Sequence, residues 1–136
     1  MRPPEEVKRD LARQWLAKAE EDLEVVTFLL SSKRYFMFAI GFHAQQAAEK
    51  YLKAFLTWHQ VEFPKTHDLG VLLELVATAD SALAASLNPI SALNPYSVEL
   101  RYPGDAPELS QSEAQDALKW ARKTADAILA ALKECI

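Results

Sequence analysis

The hydrophobic positions of this chain recur every three to four residues over most of its length, which is the period of helices packed on one side. In the first such stretch Leu11, Trp15, Ala19, Leu23, Val26 and Leu30 form one apolar stripe, with Lys8, Arg13, Lys18, Glu21 and Glu24 largely off it. That pattern predicts a helix over 8–31. A short polar break at Ser31, Ser32, Lys33 and Arg34 follows, and residues 36–59 then run almost without a breaker apart from Gly41. The apolar residues of this second helix, among them Phe36, Ile40, Ala44, Ala47, Ala48, Tyr51, Leu52, Phe55 and Leu56, are too many for one narrow stripe. A helix of that kind is buried on more than one side, so it is expected to be central and a candidate dimer interface.

Pro64 marks the next turn, with Thr66 as the expected N-cap of a third helix that starts at His67, Asp68 and Leu69 and reaches the mid-80s. Between 88 and 109 the chain carries Pro89, Pro95, Pro103, Pro107 and Gly104, which permits only short helical turns. Ser110 and Glu113 then form a predicted capping box ahead of a stripe of Ala114, Leu118, Ala121, Ala125, Ile128 and Leu132. The expectation is an all-α bundle of four or five helices, up and down, with a proline-rich loop before the last. No repeat, linker or low-complexity tract divides residues 1–136, so one domain is expected.

Composition agrees: half of the residues are hydrophobic, a quarter are charged and only three are glycine. A net charge of −4 argues against a broad basic surface tracking a nucleic-acid backbone, which leaves any RNA contact local. The single cysteine, Cys135, cannot form an intrachain disulfide. No run of about 18 apolar residues is present, so no membrane span is expected and the reading is a cytoplasmic protein.

Three motifs in order carry a family resemblance. Residues 42–56, Phe-His-Ala-Gln-Gln-Ala-Ala-Glu-Lys-Tyr-Leu-Lys-Ala-Phe-Leu, resemble the signature helix of HEPN domains, helical modules often encoded beside minimal nucleotidyltransferases. Residues 63–69, Phe-Pro-Lys-Thr-His-Asp-Leu, resemble that family's turn into its next helix, and 96–103, Tyr-Ser-Val-Glu-Leu-Arg-Tyr-Pro, its Tyr-to-Arg-Tyr-Pro element. The resemblance spans roughly 10–133. It implies a helical bundle, usually a homodimer, linked to nucleotide binding, to a nucleotidyltransferase partner in toxin–antitoxin pairs, or to RNA cleavage. The ribonuclease members carry an Arg followed after four to six residues by His, and no Arg here stands in that relation to His43, His59 or His67. Lys53 precedes His59 at such a spacing, yet Lys lacks the planar fork that grips phosphate. A catalytic role is therefore not assigned to any residue.

The candidate ligand residues form three groups. His67 and Asp68 at a helix start, beside Lys65, suit an anion, although plain capping by Thr66 and Asp68 is the simpler account of them. Arg101 and Tyr102 in the proline-rich segment suit phosphate, or else anchor the loop to the bundle. His43, Gln46, Lys50 and Lys53 fall near one face of the second helix and would line a groove between protomers, although Glu49 and Lys53 most simply read as a surface ion pair. No paired-Cys or His-Glu-x-x-His spacing suggests a metal, no glycine-rich loop suggests P-loop chemistry, and no cofactor is expected. The nucleotidyltransferase's own active-site pattern is missing, so that catalysis would belong to another chain. Trp15, Trp58, Trp120, Tyr35, Phe36 and Phe38 read as core or dimer packing.

Overall fold

The computed structural model of the chain describes residues 4–32, 34, 36–97 and 109–136. In chain order the elements are α1 (Pro4–Ser31), α2 (Met37–Trp58), α3 (Leu69–Ala79), α4 (Ser81–Ser86), a 3-10 segment (Asn88–Tyr96) and α5 (Gln111–Leu132). Among the described residues every regular element is helical. None of these helices is long and apolar enough to cross a membrane.

α1 starts four residues earlier than the stripe suggests, with Glu5 and Glu6 in its first turn, where the helix dipole favours negative charge. Its buried face also differs. Ala12, Ala19, Asp22 and Val26 are buried while Leu11 is 46% exposed, so the seam lies one residue over from the expected stripe at its start.

α2 is the centre. Fourteen of its residues are buried, including Gln45, Gln46, Glu49 and Lys53. It packs against α1, α5, α3 and the 3-10 segment, so helices of the same chain cover the circumference that suggested a dimer seam. The exposed large apolar residues nearest its start are Phe36 and Phe38. Its C-terminus closes by backbone alone: Gln60 N–H donates to Thr57 O at 3.2 Å and Val61 N–H to Leu56 O at 2.9 Å, with Gln60 left-handed at φ 57°. These are the two bonds of a Schellman motif.

The expected third helix is two helices. Asp80 is the C-cap of α3 and, with its side chain accepting from Leu83 N–H at 3.0 Å, the N-cap of α4. The chain turns there because a capping carboxylate competes with continuation of the helix. The 3-10 segment lies close against α2 at Gly41, where a Cβ would stand 2.9 Å from Tyr96 Cγ. α5 begins with the anticipated capping box: Ser110 Oγ accepts from Glu113 N–H and Glu113 Oε1 from Ser110 N–H, both at 3.1 Å. Its buried stripe contains Ala114, Ala121, Ala125, Ile128 and Leu132 as expected, with Ala117 and Thr124 added and Leu118 half-buried.

Candidate functional site

Polar residues placed inside an apolar helix must find partners, since a buried charge without one costs several kcal/mol. α2 solves this with two carboxylates, each held between a histidine and a lysine. Glu49, 4% exposed at its side chain, accepts from Lys53 Nζ at 3.1 Å and from His67 Nδ1 at 2.8 Å. Gln45 Nε2 adds a 3.3 Å bond to the same carboxylate and donates to the His67 backbone carbonyl at 2.8 Å, tying the loop before α3 to α2. Gln46 Nε2 in turn donates to Gln45 Oε1 at 2.7 Å. The Lys53 ammonium lies over the rings of Trp15 and Phe63, 5.4 and 5.7 Å from their centroids.

The second carboxylate is Asp22 of α1. His43 Nδ1 meets its Oδ1 at 2.8 Å, and Lys50 Nζ its Oδ2 at 2.5 Å. His43 and Lys50 are seven apart on α2, two turns along one face, so a single acid on the facing helix reaches both.

An ionised carboxylate only accepts, so the Nδ1 of each histidine carries the hydrogen and Nε2 is left for another group. Both rings keep an exposed edge, 38% of the His67 side chain and 31% of His43. His67 also faces a cleft of about 240 Å³ lined by Thr66, His67, Asp68, Asn94 and Ser97. The cleft's far wall comes from the 3-10 segment. Asn94 Oδ1 accepts the Leu69 N–H at 2.9 Å and its Nδ2 donates to Asp68 Oδ1 at 3.0 Å, while Asp68 Oδ1 also accepts from Gly70 N–H at 2.8 Å.

Asp68, rather than Thr66, is therefore the N-cap of α3, and Thr66 Oγ1 accepts the Asp68 N–H at 3.1 Å. With the Leu69 and Gly70 N–H groups already satisfied, the cleft presents the His67 ring rather than the helix end.

A model of the HEPN domain matches residues 12–133, nearly the whole chain. The chain belongs to the HEPN family. No curated protein and no solved structure matches it.

Within this HEPN domain the expected site residues separate into three fates. His67 and Asp68 come together with Asn94 at the cleft. Lys53, Lys50, Gln46 and His43 share α2, but Lys53 and Gln46 are turned inward and His43 and Lys50 are engaged with Asp22. Arg101 and Tyr102 lie outside the described residues. The surface ion pair expected of Glu49 and Lys53 is a correction: both are buried, because α2 is covered on that side by Trp15 and Phe63. Among the aromatic residues, Trp15 packs edge-on to Phe63 at 6.2 Å and Trp58 receives Lys8 at 4.2 Å, whereas Tyr35 is outside the described residues.

Sequence reasoning paired Glu49 with Lys53 but missed its burial and its contact with His67, and it missed Gln45, Asp22 and Asn94. A usable signal existed for the first two. A helix apolar around most of its circumference leaves no outward face for an acid or amide set between Ala44, Ala47 and Ala48, so such residues must pair internally. Asp22 and Asn94 become partners only through tertiary packing. Among the described residues no His/Cys/Asp/Glu group has the arrangement to hold a metal ion.

Proposed function

We propose that this HEPN domain is a non-catalytic binding module that takes a phosphate-bearing ligand such as a nucleotide, acts as a homodimer, and partners a separately encoded nucleotidyltransferase. The observation that carries the ligand is His67, whose Nδ1 is tied to buried Glu49 while its ring borders the cleft. A histidine oriented by a buried carboxylate is a preorganised donor for a phosphate oxygen once protonated. The cleft, at about 240 Å³, is smaller than the roughly 300–1,000 Å³ of pockets that enclose a whole ligand, which suits a phosphate head better than a base. Arg101 follows Ser97 by four positions in the sequence, and its guanidinium would supply the bidentate contact that an ammonium cannot. The dimer expected through the α2 surface would use the exposed Phe36 and Phe38 at its start, since helices of the same chain cover its middle.

Calorimetric titration of ATP, GTP and AMP into wild type, His67→Ala, Arg101→Ala and Lys53→Ala tests the ligand. Losses of about ten- to a hundredfold in affinity are expected for His67→Ala and Arg101→Ala, the usual cost of a charge-assisted contact. Lys53 is turned toward Glu49, so Lys53→Ala should act on stability first. No heat from any of the three with wild type near millimolar concentration refutes the reading. Sedimentation at micromolar concentration tests the dimer, and coexpression with a nucleotidyltransferase encoded beside it tests the partner.

One observation favours a second reading, a metal-independent ribonuclease. A histidine whose Nδ1 is fixed by a carboxylate has the form of a general acid–base pair, with Nε2 as the working atom. Cleavage of RNA in EDTA that is lost in both His67→Ala and Arg101→Ala, with folding retained, would put this reading first.

A further inference from the structure

α1 and α5 both lean on α2 and barely on each other, which leaves a groove between them of about 630 Å³. It shares no lining residue with the His67 cleft. Along α1 it runs from Leu16 to Ser31, about 22 Å at the helical rise, and its wall is apolar through Leu16, Leu23, Phe28 and Leu129. Phe28 is 72% exposed and Leu129 46%, more than a settled rim requires. Glu20 and Glu24 from one side and Asp126 from the other set exposed carboxylates along the edges. Arg122 is the one basic residue among the described lining residues, and it is engaged with Thr27 Oγ1 at 3.2 Å.

The floor is Tyr51 of α2. The residue is 2% exposed, and its side chain, a ring that ends in a hydroxyl, lines the groove. Burial, then Glu20, Asp126 and Glu24, push that hydroxyl up to about 12 from its ordinary 10, the direction a negative local field produces.

We propose that this groove receives an amphipathic helix of a partner polypeptide, with leucine-like side chains on the apolar wall and lysine or arginine along both flanks. Its length matches about four helical turns, and an elongated slot between two helices over a third is the shape that a further helix fills. The edge charge selects a basic occupant. A second copy of this face would set acids against acids, which disfavours a self-complementary dimer there. Tyr51 would give the entering segment a hydrogen bond at the base of an otherwise apolar wall. The proposal stands apart from the phosphate-binding reading, since neither site's residues serve the other.

The test uses the full chain and two fluorescent 18-residue peptides of identical helical pattern, one of leucine and lysine and one of leucine and glutamate, read by anisotropy. Binding of the leucine–lysine peptide is expected and binding of its acidic twin is not. The Glu20→Gln/Glu24→Gln pair and Phe28→Ser, all at exposed positions, should each weaken it by about tenfold, and Tyr51→Phe, which keeps the ring, by a few fold. Glu62→Gln/Glu74→Gln, of equal charge change at other exposed positions, should leave it unchanged. No binding, equal binding of both peptides, or equal loss in the Glu62/Glu74 control would overturn the proposal. So would a homodimer that dissociates in Phe28→Ser, which would give the groove to a second copy.

Discussion

Replacing Glu49 by glutamine changes one oxygen for an NH₂ and nothing in volume, so its effect isolates charge. The carboxylate serves Lys53 at 3.1 Å, His67 at 2.8 Å and Gln45 at 3.3 Å, with Glu49 and Lys53 exposed by only 3% and 7%. Removing it leaves the Lys53 ammonium between two aromatic rings without an anion, and breaking a buried pair from one side costs about 3–5 kcal/mol. The lower end, about 3 kcal/mol, is expected because the rings still attract the ammonium by cation–π interaction, worth up to about 2 kcal/mol when desolvated. Domains of this kind hold only about 5–15 kcal/mol in all, so the loss is a large part of the total. Urea unfolding followed by circular dichroism measures it. Adding Lys53→Met removes the stranded charge and should return about 2 kcal/mol, within the range of couplings between residues in contact. If Glu49→Gln costs under about 1 kcal/mol, or if the two substitutions simply add, the buried pair is not what fixes this helix.

Three further outcomes follow from the geometry. Gly41→Ala should destabilise by about 1–2 kcal/mol in thermal melts despite a helix-propensity gain of about 1 kcal/mol, because the new methyl meets Tyr96 Cγ at 2.9 Å and Tyr96 Cβ at 3.2 Å. Gln60→Gly should stabilise by up to about 1 kcal/mol, since Gln60 is left-handed at φ 57° where glycine carries no Cβ penalty; a loss in urea midpoint would show that its side chain matters more than its backbone. Burial and, after it, Lys8 lower the His59 pKa from its ordinary 6.5, with Asp80 opposing. The unfolded chain then binds the proton more readily, so this contribution to stability is full above about 6.5 and is lost as pH falls through the lower folded value. His59→Asn should flatten the decline in melting temperature on the acid side of neutrality, and an unchanged slope would exclude His59 as its source.

Much of the fold was legible because its determinants are local. The Ser110–Glu113 box and the limits of α2 depend on neighbours within four residues and lie where the pattern puts them, and the described part of the proline-rich 88–109 segment carries a short 3-10 helix at Asn88–Tyr96. The break at Asp80 was not legible. Apolar spacing continues from Val76 through Ala84 across it, and the restart shows only in the structure, in the extended Asp80 backbone at φ −155° and ψ 93° and in its side-chain bond to Leu83 N–H. The candidate site was legible in part for the same reason. His67 and Asp68 stand in a recognisable turn, but the meaning of Glu49 depends on which neighbours cover α2, and an i, i+4 Glu–Lys spacing reads the same on a solvated face as inside a core. Asp22 and Asn94 act across 21 to 28 residues of sequence, beyond any local pattern.

Both helices of the α1–α2 pair bury small side chains, Ala12 and Ala19 on α1 and, among others, Ala47 and Ala54 on α2. Surfaces that smooth would tolerate sliding, because a displacement of one turn, about 5.4 Å, exchanges one methyl for another at little cost in buried area. Asp22 does not tolerate it. Because His43 and Lys50 stand two turns apart on α2, such a displacement would carry its carboxylate toward one of them and out of reach of the other, breaking the two-sided contact. The aspartate thus acts as a registry pin: the alanines let two long helices approach, and one ion-paired residue decides at which of the near-equivalent offsets they stop.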